Sequence, residues 1–297
     1  MKQNLVTVVI PTTAEKSREK QIKRAINSVR SSSVDPIRII VVVNGDRFDE
    51  VNCLWLKSQS DISYEYLSKP SLPNAILHAR GMVKTPFFAT LDDDDEYLPG
   101  AIDMRLSVIN ESPDIDMVVT NGFIQKDGKK EMFISCIENA ALMPLTSLFE
   151  ATWLCSNNAL YRSSSISVNY FKHYHPYAEW TWLAYQIAFD DKKIAVLNQP
   201  TFCCYDTPGS LSKSQQYKDA YFSLFQRMLD KNPPQKIKNL IRRKVSAAYH
   251  DRSDNELNAG NYKNALLFHT KSLLLPGGMR YLLYSRKFFK LKRSRYL

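Results

Sequence analysis

The sequence predicts an α/β fold built on a parallel sheet, with a helical region appended after it. Three observations carry this prediction. The first hundred residues alternate short β-branched runs with helically spaced apolar residues, the pattern of successive βα units. The second of those runs is almost wholly apolar, as expected where helices cover both faces of a sheet. After residue 212 the pattern is helical throughout, broken at Pro233-Pro234 and at Pro276-Gly277-Gly278. The expected organisation is one α/β domain over residues 1–212 and a helical region over 213–297 that ends in a basic amphipathic tail.

Taken in order, residues 5–10 form the first strand, ending at Pro11. Ile22, Ala25, Ile26 and Val29 then fall at helical spacing, with Arg18, Lys20, Lys23 and Arg24 among them. The second strand covers residues 37–43 and ends in the turn Asn44-Gly45-Asp46. A short third strand (64–67), a proline-marked loop and a helix (75–83) lead to a fourth strand (87–91). That strand runs directly into Asp92-Asp93-Asp94-Asp95-Glu96. Farther on, residues 117–125 and 130–134 flank Asp127-Gly128, a hairpin signal. Residues 153–161 and 194–205 read as further strands and 178–189 as a helix. No internal repeat is present, although residues 258–266 have the flavour of a single tetratricopeptide unit.

Composition narrows the function classes. With 297 residues, 44% of them hydrophobic, the chain can bury a large core. No apolar run approaches the roughly 18 residues of a transmembrane helix, and the first run reads as a buried strand rather than a leader. Five cysteines without CxxC spacing fit a reducing compartment, so a cytoplasmic protein is expected. The net charge of +10 raises nucleic acid or an anionic membrane as a partner. Seven Lys or Arg and no acid lie between residues 279 and 297. That concentration in a tail argues against a nucleic-acid face, which spreads its cations among stacking aromatics.

In open α/β sheets ligands bind beyond the carboxyl ends of the strands. Pro11-Thr12-Thr13, Asn44-Gly45-Asp46 and the aspartate cluster all fall on that rim. Adjacent carboxylates repel and raise one another's pKa, a cost that a divalent cation removes. Oxygen ligands of this kind suit Mg²⁺ or Mn²⁺, which take one or two carboxylates and leave positions for substrate phosphates. The bland alternative is a solvated acidic turn before the helix that follows Pro99. His173 and His175 form an HxH, but without a third ligand at metal spacing they read as surface or cleft histidines.

Several segments resemble the large inverting family of GT-A glycosyltransferases known as family 2. Val6-Thr7-Val8-Val9-Ile10-Pro11-Thr12 is similar to the family's opening strand and turn, and residues 39–46 to its second strand. Residues 85–99, with Asp92 to Asp95, resemble the strand bearing its DxD motif. Tyr177-Ala178-Glu179-Trp180 and Pro208-Gly209-Ser210-Leu211-Ser212 resemble two later landmarks. The resemblance implies transfer of a sugar, with inversion, from a nucleotide-diphosphate donor to an acceptor hydroxyl, on a glycan or a lipid-linked oligosaccharide in surface-polysaccharide synthesis. It implies Mn²⁺ or Mg²⁺ held by Asp94 with Asp92, and Asp92 or Asp93 near the ribose. Pro11, Thr12, Thr13 and Asn44 are implied at the nucleotide, and Glu179 as the base. Asn157, Asn158 and Arg162 fall on the acceptor side, where Trp153, Trp180 and Trp182 offer a sugar-stacking wall.

The chain also departs from the family pattern. Glu179 is followed by Trp180, so the family's ED-type acid pair is incomplete, and Glu179 matches either the base or its supporting acid. Val43 and Asn44 stand where acids usually read the nucleobase, and Thr207 stands where a histidine is common. A catalytically silent member that binds nucleotide sugar or glycan is therefore a competing reading. A nucleotidyltransferase is another, although the glycine-rich phosphate loop of that class is absent after Ile10. In the tail, Tyr281, Tyr284, Phe288 and Leu291 recur on one helical face with Arg286, Lys290 and Arg293 opposite. Two expectations follow: a helix packed on the domain, or an interfacial helix with that aromatic face in an anionic membrane surface.

Overall fold

The computed structural model describes residues 5–206 and 214–288. The chain divides into two compact units, Met1–Tyr217 and Lys218–Leu297.

The first unit opens with β1 (Val6–Thr12), α1 (Glu19–Ser31), β2 (Arg38–Asn44), α2 (Glu50–Ser58), β3 (Ile62–Leu67), α3 (Leu72–Met82) and β4 (Phe87–Thr90). These strands are parallel, in the spatial order β3-β2-β1-β4. Strand periodicity explains the unbroken apolar run of β2. Ile39, Val41 and Val43 join a core with Ile22, Ile26 and Val29 of α1, while Ile40 and Val42 meet Ala75 and Ala79 of α3. Both sheet faces are thus covered, and polar alternation has no place in the sequence. The helix α2 has no counterpart in the sequence reading. It buries only Asn52, Cys53 and Leu56 and leaves Val51 and Leu54 exposed, so its apolar residues mark no single face.

The chain continues through β5 (Glu96–Tyr97), α4 (Ala101–Ile109), β6 (Met117–Lys126), β7 (Lys129–Met132), α5 (Asn139–Leu142), α6 (Pro144–Ser147), β8 (Ala159–Arg162), α7 (Asn169–Lys172), α8 (Glu179–Phe189) and β9 (Ile194–Tyr205). β8 lies antiparallel between β4 and β6, β9 is parallel to β6, and β5 pairs antiparallel with β9. With β7 hairpinned onto β6, the mixed sheet has nine strands among the described residues. The Asp127-Gly128 turn has positive φ at both residues, as a two-residue hairpin requires.

The expected strand over 153–161 is shorter than its apolar content suggests. The Asn158 side chain accepts from Cys155 N at 3.0 Å and donates to Trp153 O at 2.8 Å, which folds residues 153–158 into a loop before β8. Trp153 and Trp182 are buried in the core, so two of the three tryptophans expected to stack on sugar are packing residues. Trp153 donates its ring N–H to Pro144 O, and Trp182 stacks on Tyr185.

The helical region comprises α9 (Gln215–Asp230), α10 (Gln235–Asn258) and α11 (Tyr262–Leu273). α10 and α11 form one antiparallel-type hairpin through Gly260, whose φ is +80°. Small residues bring the two helices together: Ser246 Oγ donates to Ser272 O at 2.9 Å, Ser272 Oγ to Ser246 O at 2.7 Å and Ser253 Oγ to Ala265 O at 2.7 Å. The tetratricopeptide-like stretch is this turn. Next comes a 3₁₀ segment, Gly278–Ser285. A Cβ on Gly278 would lie 2.0 Å from Ser272 O, so only glycine allows that return.

The aromatic side of the tail turns inward. Tyr281 stacks on His250 with ring centroids 3.8 Å apart, and Phe288 stacks on His269 at 5.4 Å. Tyr284 meets both imidazoles, and its hydroxyl donates to Asp254. These rings are therefore not the membrane-facing surface that sequence periodicity offered, because two histidines of α10 and α11 supply flat partners for them. Lys290, Leu291, Lys292, Arg293 and Arg295 lie outside the described residues, as do Thr207 and the Pro208-Gly209-Ser210-Leu211-Ser212 landmark.

Candidate active site

The carboxyl ends of β1, β2 and β4 bring the predicted segments onto one rim. Pro11 is buried within β1, opposite Val42 of β2, at the end of the strand that reaches the rim. Thr12, the last residue of β1, donates its hydroxyl to the Asp93 carboxylate and accepts from Ala14 N at 2.9 Å. The Thr13 hydroxyl is buried and has no hydrogen-bond partner. A buried polar group without a partner is uncommon and costs stability, so this oxygen has hydrogen-bonding capacity that the fold leaves unmet. Asn44, the last residue of β2, is spent internally: Nδ2 donates to Thr12 O and Oδ1 accepts from Ser71 N, both at 3.0 Å. The amide ties β1 to the start of α3.

The turn after β4 holds four successive aspartates in different surroundings. Asp92 accepts from Ser156 Oγ at 2.8 Å, and its backbone N–H donates to Asn157 Oδ1 at 2.9 Å. Asp93 is gripped by Thr12 and by the Arg18 guanidinium. Asp95 accepts from Asn157 Nδ2 and from Tyr205 N. Asp94 is the more open member, with Arg18 Nη1 3.8 Å away. Burial pushes Asp93 up to about 6, against the lowering pull of Arg18. Burial and repulsion from Asp94 push Asp95 up to about 6 as well. Asp92 is raised well above the ordinary carboxylate range, first by burial and then by repulsion from Asp95 and Asp94.

Sequence reading missed the residues that brace this turn. Arg18 precedes α1 and Arg24 lies within it; the sequence alone assigns neither a role. In the fold Arg24 donates to the Asp94 carbonyl, stands 3.9 Å from Glu96 and lies over the Tyr205 ring at 3.7 Å. Arg105 of α4, wholly buried, donates to Asn157 O at 2.6 Å and to Thr201 Oγ1 at 2.7 Å. Asn157 and Asn158 thus serve the scaffold, and the Arg162 guanidinium donates to the Ile109 and Ile115 carbonyls. Only the fold brings these positions together, since Arg18, Arg24 and Asn157 lie more than sixty residues from the aspartates they hold. A buried arginine between apolar residues, as in Ile102 to Leu106, was the one signal available.

Glu179 occupies the first turn of α8, away from the acidic turn in sequence. It lines a recess with Pro73 and Ile76 of α3 and with Tyr174 and Trp180. Its carboxylate accepts from Tyr177 N at 2.9 Å, and burial raises its pKa above the usual glutamate value. The recess adjoins the rim through α3, whose capping Ser71 is the partner of Asn44.

A divalent cation fits the rim in one way. Among the described residues no three His, Cys, Asp or Glu are grouped so as to hold a metal ion by themselves. Asp92, Asp93 and Asp95 are held by close hydrogen bonds, whereas the Asp94 carboxylate has Arg18 only at 3.8 Å and could share a cation with phosphate oxygens. Mg²⁺ and Mn²⁺ are commonly held by one or two carboxylates together with a nucleotide. The rim can therefore receive a metal–diphosphate pair, while the recess holds a carboxylate able to accept a proton.

The chain is similar to known proteins in sequence and in fold. An uncharacterised glycosyltransferase of Rickettsia prowazekii (strain Madrid E) is 23% identical over 245 residues, covering 77% of this chain and 75% of that one. Another, from Rickettsia typhi (strain ATCC VR-144 / Wilmington), is 24% identical over 246 residues, covering 78% and 76%. Among solved structures, S. aureus TarS 1–349 in complex with UDP-GlcNAc matches with a TM-score of 0.63 at 14% identity, covering 90% of this chain and 81% of that one. The complex of the same protein with UDP gives 0.55 at 13% identity, covering 80% and 69%. At these identities the structural likeness is one of fold, and that fold is GT-A. The model of glycosyl transferase family 2 matches residues 7–168, more than half of the chain, and the chain belongs to that family.

Proposed function

We propose that this glycosyltransferase moves a sugar from a nucleotide-diphosphate donor to a hydroxyl of a glycan or lipid-linked oligosaccharide, with inversion, in surface-polysaccharide synthesis. The observation that carries this reading is the braced turn of Asp92 to Asp95, in which Asp94 has only the distant Arg18 guanidinium at 3.8 Å, on the strand-end rim that also carries the unpartnered Thr13 hydroxyl. Asp94 would hold Mn²⁺ or Mg²⁺ together with Asp92, and Asp92 or Asp93 would stand near the ribose. When bound, the cation supplies Lewis-acid stabilisation of the leaving diphosphate. The Thr13 hydroxyl donates to the nucleotide. Thr12, Asn44, Arg18 and Asn157 keep the turn in place.

Glu179 is the base. The acceptor oxygen attacks the anomeric carbon, its proton passes to the Glu179 carboxylate, and the bond to the diphosphate oxygen breaks with its electron pair. A carboxylate whose pKa is raised by burial is better matched to that role near neutral pH. The uridine nucleotides held by the TarS structures make UDP-sugars the first donors to test. The acceptor places the enzyme in the cytoplasm, beside the inner face of the membrane. Among the described residues no helix is long and apolar enough to cross a membrane.

A second reading rests on Trp180, which stands where a second acid would complete the pair: a silent member that binds donor without turnover. One experiment separates the two. Purified protein with Mn²⁺ is screened against a panel of nucleotide sugars, with release of nucleoside diphosphate and the anomeric configuration of the product as readouts. Turnover with an inverted product supports the proposal, thermal stabilisation without turnover supports the silent reading, and neither effect with any donor rejects both.

A further inference from the structure

The 3₁₀ segment Gly278–Ser285 sorts its residues into three ridges, because side chains three apart eclipse in this helix. The Tyr281 and Tyr284 ridge turns onto His250 and His269. The two remaining ridges, Met279 with Leu282 and Arg280 with Leu283, face outward. Met279 is 65% exposed, Leu283 68% and Leu282 49%. Directly before the segment, Leu274 is 80% exposed. Leu267, Lys271 and Leu274 share one side of α11 and its end, being four and three residues apart. Exposed aliphatic residues in such number are unusual on a surface that meets only water.

Charge says what covers them. From Ala259 to Leu297 there are nine Lys or Arg and no acid, so this stretch accounts for most of the chain's net charge of +10. Lys271, Arg280, Arg286 and Lys287 lie among or beside the exposed leucines and are themselves exposed. A nucleic-acid surface would offer aromatic rings for stacking, but here the rings are turned inward and the aliphatic groups outward. Leucine and methionine flanked by cations match an anionic bilayer, whose headgroups take the charge and whose acyl boundary takes the side chains.

We infer that the outward ridges of residues 274–287 form a docking surface for an anionic lipid bilayer, with the leucines inserted and Arg280 and Arg286 at the headgroups. This deepens the reading of a membrane-side acceptor and rests on it for its purpose. Its readout needs no turnover, so the two fail separately. Each cation near such a surface strengthens binding about fivefold, and a leucine moved from water into the acyl boundary contributes about tenfold or more.

The test is flotation of the full chain with vesicles of phosphatidylcholine alone and of phosphatidylcholine containing one part in three of phosphatidylglycerol. The expected result is binding to the mixed vesicles only, weakened by added salt. Leu283→Ser and Leu274→Ser each reduce it about tenfold or more, and Arg280→Gln about fivefold. All three positions are exposed, and an unchanged melting temperature confirms that each variant is folded. Equal binding to both vesicles overturns the inference, as does binding that the leucine variants leave unaltered. Wild-type protein that is dimeric by light scattering and becomes monomeric in Leu283→Ser also overturns it, by assigning the surface to a second copy.

Discussion

Two carboxylate environments in the first unit are built on opposite plans. The turn after β4 collects four acids and restrains them with hydrogen bonds and cations, so that burial does not scatter them. Asp93 has Thr12 and Arg18, Asp95 has Asn157 and Tyr205 N, and Asp92 has Ser156. The start of α8 instead sets one acid in a recess of aromatic and aliphatic side chains with one neighbouring loop N–H on it. The first plan fixes the positions of the carboxylates and, in the proposed reading, offers Asp94 to a cation; the second tunes basicity by desolvation. Charge placement and proton affinity are thereby controlled separately, and substitutions distinguish the two.

The largest effect is expected in the recess. Glu179→Gln keeps the shape and removes the base, so kcat falls by roughly 10²–10⁴-fold while donor affinity is nearly unchanged. Steady-state kinetics with saturating acceptor check this. A loss within a factor of a few assigns the base elsewhere and makes Glu179 the supporting acid of an incomplete pair.

The brace comes next. Asn157→Ala removes the acceptor for Asp92 N and a donor to Asp95, and leaving such buried groups unpaired costs about 1–3 kcal/mol. Denaturant melts in the presence of chelator measure it. If the plans differ as described, this variant loses stability and metal-dependent donor binding together, whereas Glu179→Gln loses neither.

The smallest effect is a change of slope with pH. Asp93 and Asp95 are both pushed up to about 6 in the folded chain, above their unfolded values. The native state therefore holds extra protons between those values, and stability falls as pH rises from about 4 through about 6. In Asn157→Ala, Asp95 loses a donor that lowers its pKa, so the variant keeps its extra proton to higher pH and falls further behind wild type as pH rises above about 6. The gap is of order 1 kcal/mol, about one pKa unit. A gap independent of pH contradicts the bracing role given to Asn157.

Much of the first plan is legible in the sequence, and little of the second. β1 to β4 lie within two residues of their expected ends, because β-branched runs stopped by Pro, Asn-Gly or aspartates mark parallel strands clearly. The rim follows from strand order alone. The braces do not, since nothing local ties Arg18 to Asp93 or Arg105 to Asn157 before the fold is known. Asn44 shows the same limit: its position at the rim was evident, but not that Thr12 O and Ser71 N consume its amide. Trp153 and Trp182 were legible as large apolar residues, and only packing reveals that they serve the core. In the helical region the shared face of Tyr281, Tyr284 and Phe288 was correct, yet periodicity cannot say whether a face turns to solvent or to His250 and His269.

The central claim is that Asp94 receives the donor's diphosphate through a cation while Glu179 takes no part in binding it. Calorimetric titration of UDP into the full chain, with Mn²⁺ and with chelator, tests this most directly in wild type, Asp94→Asn and Glu179→Gln. The account predicts Mn²⁺-dependent binding in wild type and Glu179→Gln, and its loss in Asp94→Asn with the melting temperature retained. Binding of equal strength in chelator, or in Asp94→Asn with Mn²⁺, would contradict it.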